Sequence, residues 1–203
     1  MKPELILFDT ETGGLEPHCS LLEAYFVSVS ADLKPIQELH LKIKPNPGEV
    51  YVVTAGALEV NHIDLVRHDK EARTRNEAKA LLGAFLQAQY AAAGKKMMPL
   101  GHNAAFDIGF VHKQLMGKAE WEETMSYHVE DTIALIAAIK RKGLMKKNIW
   151  SLGTVAKELG IKFDSAGLHG AKVDAMLTLE VYKKLLEFIG PPQVDLAKGI
   201  FEA

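Results

Sequence analysis

Five side chains that could act together in catalysis lie in three short segments of the chain, the carboxylates of Asp9, Glu11, Asp107 and Asp174 and the imidazole of His169. Converging carboxylates need neutralising positive charge, and divalent cations with oxygen ligands commonly supply it. Two such cations can clamp the attacking and leaving oxygens of a phosphodiester displacement. An imidazole, which exchanges protons near neutral pH, could accept the proton of the attacking water. The set suits two-metal phosphodiester hydrolysis.

The first segment is an apolar run, residues 5–8, that ends directly at Asp9. Such a run is typical of a buried central strand, and alternation of side chains would point Asp9 and Glu11 to the same side. Open α/β sheets bind ligands at the carboxyl edge, where these acids would emerge. The spacing alone is a weak signal, because two solvated acids could equally open a turn at Gly13 and Gly14.

The second segment, residues 99–115, is predicted to be a short strand followed by a helix that begins at Asn103, a favoured N-cap residue. Asp107 then lies in the first helical turns, beside the aromatic side chains of Phe106 and Phe110. The alternative is that Asp107 only complements the helix dipole.

The third segment places His169 between two glycines, Gly167 and Gly170, and Asp174 in the first turn of a long helix. An apolar repeat of about one helical turn predicts the core-facing side of that helix, at Val173, Leu177, Val181, Leu185 and Ile189. A histidine beside glycines suits a proton shuttle, although a loop histidine is often simply solvated.

Taken in this order, the three segments resemble the DEDDh family of 3′→5′ exonucleases, which includes the proofreading subunit of bacterial DNA polymerase III. The resemblance covers residues 5–189. Its matching positions are Asp9 and Glu11 in the first motif, Asn103, Phe106 and Asp107 in the second, and His169 and Asp174 in the third. It implies an α/β, ribonuclease-H-like fold with a mixed central sheet of about five strands, an antiparallel second strand and helices on both faces.

The resemblance also implies roles for the acids and a cofactor. Asp9 would bridge two Mg²⁺ or Mn²⁺ ions, Glu11 and Asp174 would hold one of them, and Asp107 would act mainly through bound water. His169 would be the general base.

Further residues are implied to bind the last nucleotide. The segment after the first motif contributes Thr10, Thr12, Gly13 and Leu15, and the second motif contributes Asn103. Leu58 and Phe106 would pack against terminal bases or sugars. Ordinary core packing is an equally good interpretation of Leu58 and Phe106.

The activity expected from the resemblance is release of nucleoside 5′-monophosphates from the 3′ end of nucleic acid, with single-stranded DNA favoured. One alternative is an exoribonuclease that trims RNA 3′ ends, since no residue decides between the two sugars. The other is a noncatalytic module that binds ends or associates with a polymerase. A polymerase or other replication protein is the expected protein partner.

Composition limits the remaining choices. The chain has 203 residues, 48% of them hydrophobic, which is enough for one domain, predicted at residues 1–190, with a tail over 191–203 that packs on it. A single cysteine fits the reducing cytoplasm, and neither a secretory segment nor a membrane-spanning run is found. The net charge of −2 is unlike that of a protein that grips long duplexes through phosphates.

A local basic cluster departs from that charge balance. It consists of Lys140, Arg141, Lys142, Lys146 and Lys147. It could guide a nucleic-acid backbone toward the site, but a solvated helix end whose cations complement the dipole is the simpler interpretation.

Other elements follow from local patterns. Alternation predicts strands over residues 25–30 and 38–44, and Thr74 with Glu77 predicts a capping box ahead of a long helix. By the resemblance, a short helix follows Thr54, a strand-to-helix joint lies at Asp131, and a small helix spans residues 151–160.

Overall fold

The structure of the chain is a computed structural model that describes residues 1–164 and 168–190. The described strands are β1 (Pro3–Thr12), β2 (Leu21–Ser30), β3 (Pro35–Lys44), β4 (Arg73–Thr74), β5 (Met98–Gly101) and β6 (Glu130–Asp131). The described helices are α1 (Ala55–Asn61), α2 (Leu65–Glu71), α3 (Arg75–Ala93), α4 (Ala104–Gln114), α5 (Lys118–Thr124), α6 (Thr132–Arg141), α7 (Leu152–Glu158) and α8 (Ala171–Ile189).

The strands form one mixed sheet in the order β4-β3-β2-β1-β5-β6. β2 is antiparallel to both β1 and β3, whereas β5 runs parallel to β1 and β6 parallel to β5. The predicted mixed sheet and its antiparallel second strand are confirmed. The sheet has six strands where about five were predicted, because β4 and β6 extend its edges. Each of these two strands has only two residues, too few to carry a periodic sequence signal.

Alternate residues of β1 serve two separate cores. Leu5 and Leu7 pack in a cluster with α8, whereas Ile6 and Phe8 pack in a second cluster with α3, α4 and α5. The ring of Phe8 lies 6.0 Å from that of Trp121 on α5. Helices therefore cover both faces of the sheet, as predicted, and β1 is the strand between them.

α8 is buried on two sides instead of along one stripe. Leu177, Val181 and Leu185 pack against α6 and α7, as part of a third cluster. The predictions for Val173 and Ile189 were wrong, because these side chains are 41% and 50% exposed. The sheet side of α8 is lined by Ala171, Ala175, Leu179 and Tyr182. The helix lies between the sheet and two other helices, so a single-stripe interpretation could not describe it.

Several local predictions are confirmed. Thr74 and Glu77 form the reciprocal capping box of α3, α1 begins after its N-cap Thr54, and α6 and α7 begin at Thr132 and Leu152. Two further helices, α2 and α5, were not predicted.

The start of α4 corrects one prediction. Asn103 immediately precedes the helix, but its side chain makes no capping hydrogen bond, and its φ of 62° is left-handed. The carboxylate of Asp131 instead accepts hydrogen bonds from the backbone N–H groups of Asn103 (3.0 Å) and Ala104 (2.9 Å). The same carboxylate accepts from the N–H of Ile133 at 2.9 Å, so one residue of β6 fixes the starts of both α4 and α6.

The turn after β1 is held by close backbone contacts. The N–H of Gly13 donates to the carbonyl of Ser20, and the N–H of Thr54 donates to the carbonyl of Gly13, both at 2.7 Å. The side-chain amide of Asn61 donates to the carbonyl of Thr12 at 3.1 Å. These bonds bring α1 beside the end of β1.

None of the helices in the described part of the chain has the length and apolar composition needed to cross a membrane. The tail over residues 191–203 lies outside the described residues, so its packing on the domain stays a prediction.

We expect Gly13→Ala to destabilise the protein by about 1–3 kcal/mol, because the new Cβ would lie 2.5 Å from the carbonyl oxygen of Val52, a backbone atom that cannot easily move. The matched control is Gly109→Ala on the exposed side of α4, where nothing lies within 4 Å and alanine should stabilise the helix by up to about 1 kcal/mol. Urea unfolding measures both, and an unchanged midpoint for Gly13→Ala would contradict the close approach.

Candidate active site

Three carboxylates meet on the α8 side of the sheet. Asp9 and Glu11 are alternate residues of β1 and share a face with Leu5 and Leu7, against which α8 packs. Asp174 lies in the first turn of α8. Asp9, Glu11 and Asp174 each offer one oxygen, and these oxygens all lie within 4.8 Å of one another. The fold therefore brings these three residues together, as the sequence predicted.

The fourth acid reaches the site from the opposite face. Thr10 lies between Asp9 and Glu11 on β1, so its side chain points toward α4. Its hydroxyl donates a hydrogen bond of 2.5 Å to the carboxylate of Asp107, which is 4% exposed. Asp107 is therefore fixed beside the three-carboxylate cluster without being a member of it.

Burial and mutual repulsion disfavour the charged forms of the β1 acids. Burial raises the pKa of Asp9 well above its usual range, and the charges of Asp107, Asp174, Glu11 and Glu23 raise it further. Burial raises the pKa of Glu11 to about 8, with further contributions from Asp174, Glu23 and Asp107. Asp9 and Glu11 can therefore lose their protons near neutral pH only if another positive charge takes the place of those protons.

The two helix acids are shifted in the same direction. Burial raises the pKa of Asp107 to about 7, although the hydrogen bonds from Thr10 oppose the shift. Burial also raises the pKa of Asp174, opposed by the backbone N–H and the charge of His169.

The ligand atoms fit a hard divalent cation. Oδ1 of Asp174 is buried and has no hydrogen-bond partner among the described residues, although a buried carboxylate oxygen normally has one. The cluster offers only carboxylate oxygens, which suit Mg²⁺ or Mn²⁺ better than a structural Zn²⁺. A divalent cation would supply both the missing partner and the missing charge.

His169 lies at the exposed side of the cluster. Its backbone has a φ of 67°, and its N–H donates to Oδ2 of Asp174 at 3.3 Å. Gly170 is the N-cap of α8, so His169 stands immediately before the helix that carries Asp174. Gly167, the other glycine of the predicted swing, lies outside the described residues.

A cleft of about 410 Å³ opens beside Glu11. It is lined by Thr10, Glu11, Thr12, Gly14, Leu15, Thr54, Gly56, Ala57, Val60, Asn61 and Phe106. Four of the predicted substrate residues, Thr10, Thr12, Leu15 and Phe106, are in this lining. Leu15 is 83% exposed, an apolar side chain at the edge of the cleft.

The other three predicted substrate residues lie near the cleft without lining it. Gly13 forms the turn beneath it, and Leu58 is partly buried on α1. Asn103 is exposed at the start of α4. The side of α1 that faces the cleft carries Ala57, Val60 and Asn61, which sequence reasoning missed.

Glu23 is another residue that sequence reasoning missed. It lies on β2 directly opposite Glu11, and its carboxylate contacts the ring of His40 on β3. Its charge raises the pKa of both Asp9 and Glu11. Only the register between β1 and β2 brings it to the site, and that register is not visible in either strand alone.

Ion pairing across the sheet holds α8 in position. Lys172, in the first turn of the helix, lies 2.8 Å from the carboxylate of Glu38 on β3. The buried Tyr25, opposite Asp9 on β2, donates its hydroxyl to the same carboxylate at 2.5 Å. These contacts lie two residues from Asp174, beside Ala171 and Ala175, whose burial against the sheet positions the start of α8.

Comparison with known proteins agrees with this geometry. A family model described as exonuclease (RNase_T) matches residues 6–182. The chain is 28% identical to a ribonuclease T of Vibrio vulnificus over 87% of this chain and 81% of that protein. It is 22% identical to a PolC-type DNA polymerase III of Mycoplasmopsis pulmonis over 97% of this chain, which spans only 12% of the polymerase.

Solved structures agree on the fold. Exonuclease I of E. coli, in a zinc-bound complex with single-stranded DNA, superposes with a TM-score of 0.73 at 18% identity, over 95% of this chain and 42% of that one. Exonuclease I of Methylocaldum szegediense gives 0.72 at 17% identity, over 95% of this chain and 41% of that chain. The expected ribonuclease-H-like fold is confirmed.

We expect Glu11→Gln to remove a pH dependence of stability in the metal-free protein. The pKa of Glu11 is about 8 in the folded chain and about 4.5 when unfolded, so the folded state holds a proton that the unfolded state has lost between those values. Stability should fall as pH rises from about 4.5 to 8, and the glutamine variant should lose part of that fall.

Urea unfolding in EDTA across this range measures the effect, with Glu16→Gln, an exposed acid of the same turn, as the control. Equal slopes for the wild type and Glu11→Gln would contradict the assigned burial of Glu11.

Proposed function

The chain belongs to the RNase_T exonuclease family, the DEDDh type that its three motifs resemble, and we propose that it hydrolyses nucleic acid from the 3′ end with divalent metal ions. The observation that carries the proposal is the partly buried cluster of Asp9, Glu11 and Asp174, which lies beside an apolar cleft. A noncatalytic binding module would have no use for three uncompensated acids at the end of its binding cleft.

The acids would serve as metal ligands. Asp9, Glu11 and Asp174 would hold the cations directly, and Asp107, held by Thr10 at the side of the cluster, would act mainly through water. Bound cations would supply positive charge that favours an attacking water and stabilises the departing 3′ oxygen. Because the acids bind their own protons near neutral pH, metal binding should release protons.

His169 would accept the proton of the attacking water. It is exposed to solvent, so a proton taken at the site can leave to bulk water. Its backbone bond to Asp174 keeps it beside the cluster. A general base in this position does not require a covalent intermediate.

The terminal nucleotide would occupy the 410 Å³ cleft. Leu15, Val60 and Phe106 give it apolar walls, and such surfaces contact any base through its π-face. We therefore propose low sequence preference and release of nucleoside 5′-monophosphates. The backbone after β1, held by Asn61 and Thr54, would define the depth of the cleft.

Single-stranded DNA is the proposed substrate, supported by the likeness to the exonuclease I–DNA complex. RNA 3′ ends are the second candidate, because a ribonuclease T is similar over most of both chains. The likeness to part of a PolC-type polymerase supports the expected polymerase partner, which stays a prediction.

We expect Mg²⁺-dependent release of labelled mononucleotide from 3′-labelled single strands and none at first from 5′-labelled strands. Matched DNA and RNA oligonucleotides measure the preference for sugar. Asp9→Ala and Asp174→Ala should each abolish cleavage while preserving the circular dichroism spectrum, because each removes a metal ligand. Glu16→Gln is the control, and full activity in either alanine variant would disprove the assigned mechanism.

His169→Ala should lose about 10²–10⁴-fold in rate, the usual contribution of a general base. Metal binding by this variant, measured by calorimetry with Mn²⁺, should persist because no ligand is lost. His112→Ala, on the far side of α4, is the matched histidine control. A variant at His169 that keeps its full rate would exclude the histidine from proton transfer.

A further inference from the structure

Residues 140–150, here named the 140–150 turn, comprise the last two residues of α6 and most of its connection to α7. The side chain of Met145 is buried among residues of α6, α7 and α8. Gly143 has a φ of 74°, and the N–H of Leu144 donates to the carbonyl of Ile139 at 3.2 Å. The backbone of the turn is therefore anchored to the helices on either side of it.

The five cations of this turn divide into two groups. Lys140 donates to the carbonyl of Ile149 and lies 3.2 Å from the centre of the Trp150 ring, and Lys146 lies 2.8 Å from Glu158. These two lysines stabilise the turn itself. The remaining cations, Arg141, Lys142 and Lys147, are exposed and form no ion pair with any residue that the structure describes.

Trp150 adds an aromatic surface among the free cations. Lys140 covers one face of its ring, yet 46% of the residue is exposed to solvent. Leu144, another apolar residue of the turn, is 52% exposed. The turn thus carries both cations that are unpaired among the described residues and an exposed aromatic ring, and single strands are bound by this combination, with phosphates on the charges and bases stacked on rings.

The turn adjoins the second motif. The carbonyl of Trp150 lies 3.0 Å from Nε2 of His102, whose Nδ1 lies 2.7 Å from the hydroxyl of Thr132. His102 follows the last residue of β5, and α4 with Asp107 begins two residues later. The Trp150 end of the turn therefore lies beside the carboxyl edge of the sheet, where β1 ends in Asp9 and Glu11.

The turn also leads to the third motif. α7 begins directly after Trp150 and Ser151, and an added Cβ on Gly153 of this helix would lie 3.1 Å from the side chain of Leu168. Leu168 immediately precedes His169. The 140–150 turn thus connects the segments that carry Asp107 and His169. It lies on a different side of the site from the nucleotide cleft, because the residues that line the cleft come from β1, the turn after it, α1 and α4.

We propose that the 140–150 turn binds the single strand upstream of its 3′ end, with Arg141, Lys142 and Lys147 on phosphates and Trp150 stacked on a base. The proposal rests on the proposed exonuclease function. The whole chain has a net charge of −2, so overall charge does not attract a phosphate backbone and local cations are needed to hold the strand.

Binding of fluorescent oligothymidylate, read by anisotropy with EDTA present, tests the proposal without cleavage. The variant is the pair Lys142→Glu with Lys147→Glu. The control is the pair Lys2→Glu with Lys96→Glu, which changes net charge equally but lies at the starts of β1 and β5, on the opposite edge of the sheet.

We expect the turn variant to weaken binding and to reduce the slope of log affinity against log salt by about 1.4, since each phosphate contact on a single strand contributes about 0.7. The loss should be larger for a long strand than for a trinucleotide. Trp150→Ala should weaken long-strand binding by about 5- to 150-fold, the usual effect of losing one stacked base, and Trp150→Phe should restore most of it.

Equal losses of binding affinity in the turn variant and the control variant would show that only net charge matters, and would overturn the proposal. Unchanged binding of the oligonucleotide by the turn variant would also overturn the proposal, and would indicate instead that this surface binds a protein partner. Absence of Mg²⁺-dependent digestion by the wild type would instead refute the exonuclease function, which is measured separately.

Discussion

Repulsion among desolvated carboxylates is the constraint on which the rest of the structure depends. Asp9 and Glu11 lie at the end of a strand that is covered on both faces, and Asp174 and Asp107 approach them from opposite sides of the sheet. Burial raises the pKa of all four acids, and the charges of neighbouring acids raise the pKa of Asp9 and Glu11 further. The buried acids therefore lower the stability of the folded chain, and packing elsewhere in the chain offsets that loss.

The compensation comes from contacts that hold each acid in place. β1 is the central strand between two clusters of apolar side chains, so its end cannot shift to separate the acids. Thr10 fixes Asp107, and the pair of Glu38 and Lys172 fixes the start of α8. Asp131 fixes the start of α4 from the neighbouring edge strand. Each contact joins residues that are far apart in sequence, so the site forms only when the whole sheet has formed.

This dependence on long-range contacts also explains which features were predictable. The strand of residues 5–8, the acids of the three motifs and the capping box of α3 carry local signals, and the structure places them as expected. Glu23 and the capping role of Asp131 depend on strand register, which no single segment encodes. The cleft side of α1 was missed for a similar reason, because Val60 and Asn61 gain their role only when α1 packs beside β1.

A site built from acids must bind a polyanion, and the fold meets that requirement by separating the charges. The proposed metal ligands lie at the end of β1, whereas Arg141, Lys142 and Lys147 are exposed on the 140–150 turn. Cations placed inside the cluster would neutralise the acids and compete with the metal ions. Cations on the opposite edge would hold a strand away from the cleft. The surface proposed on the 140–150 turn, joined to the second motif by the His102–Trp150 contact, would avoid both outcomes and would let a chain with a net charge of −2 hold a single strand.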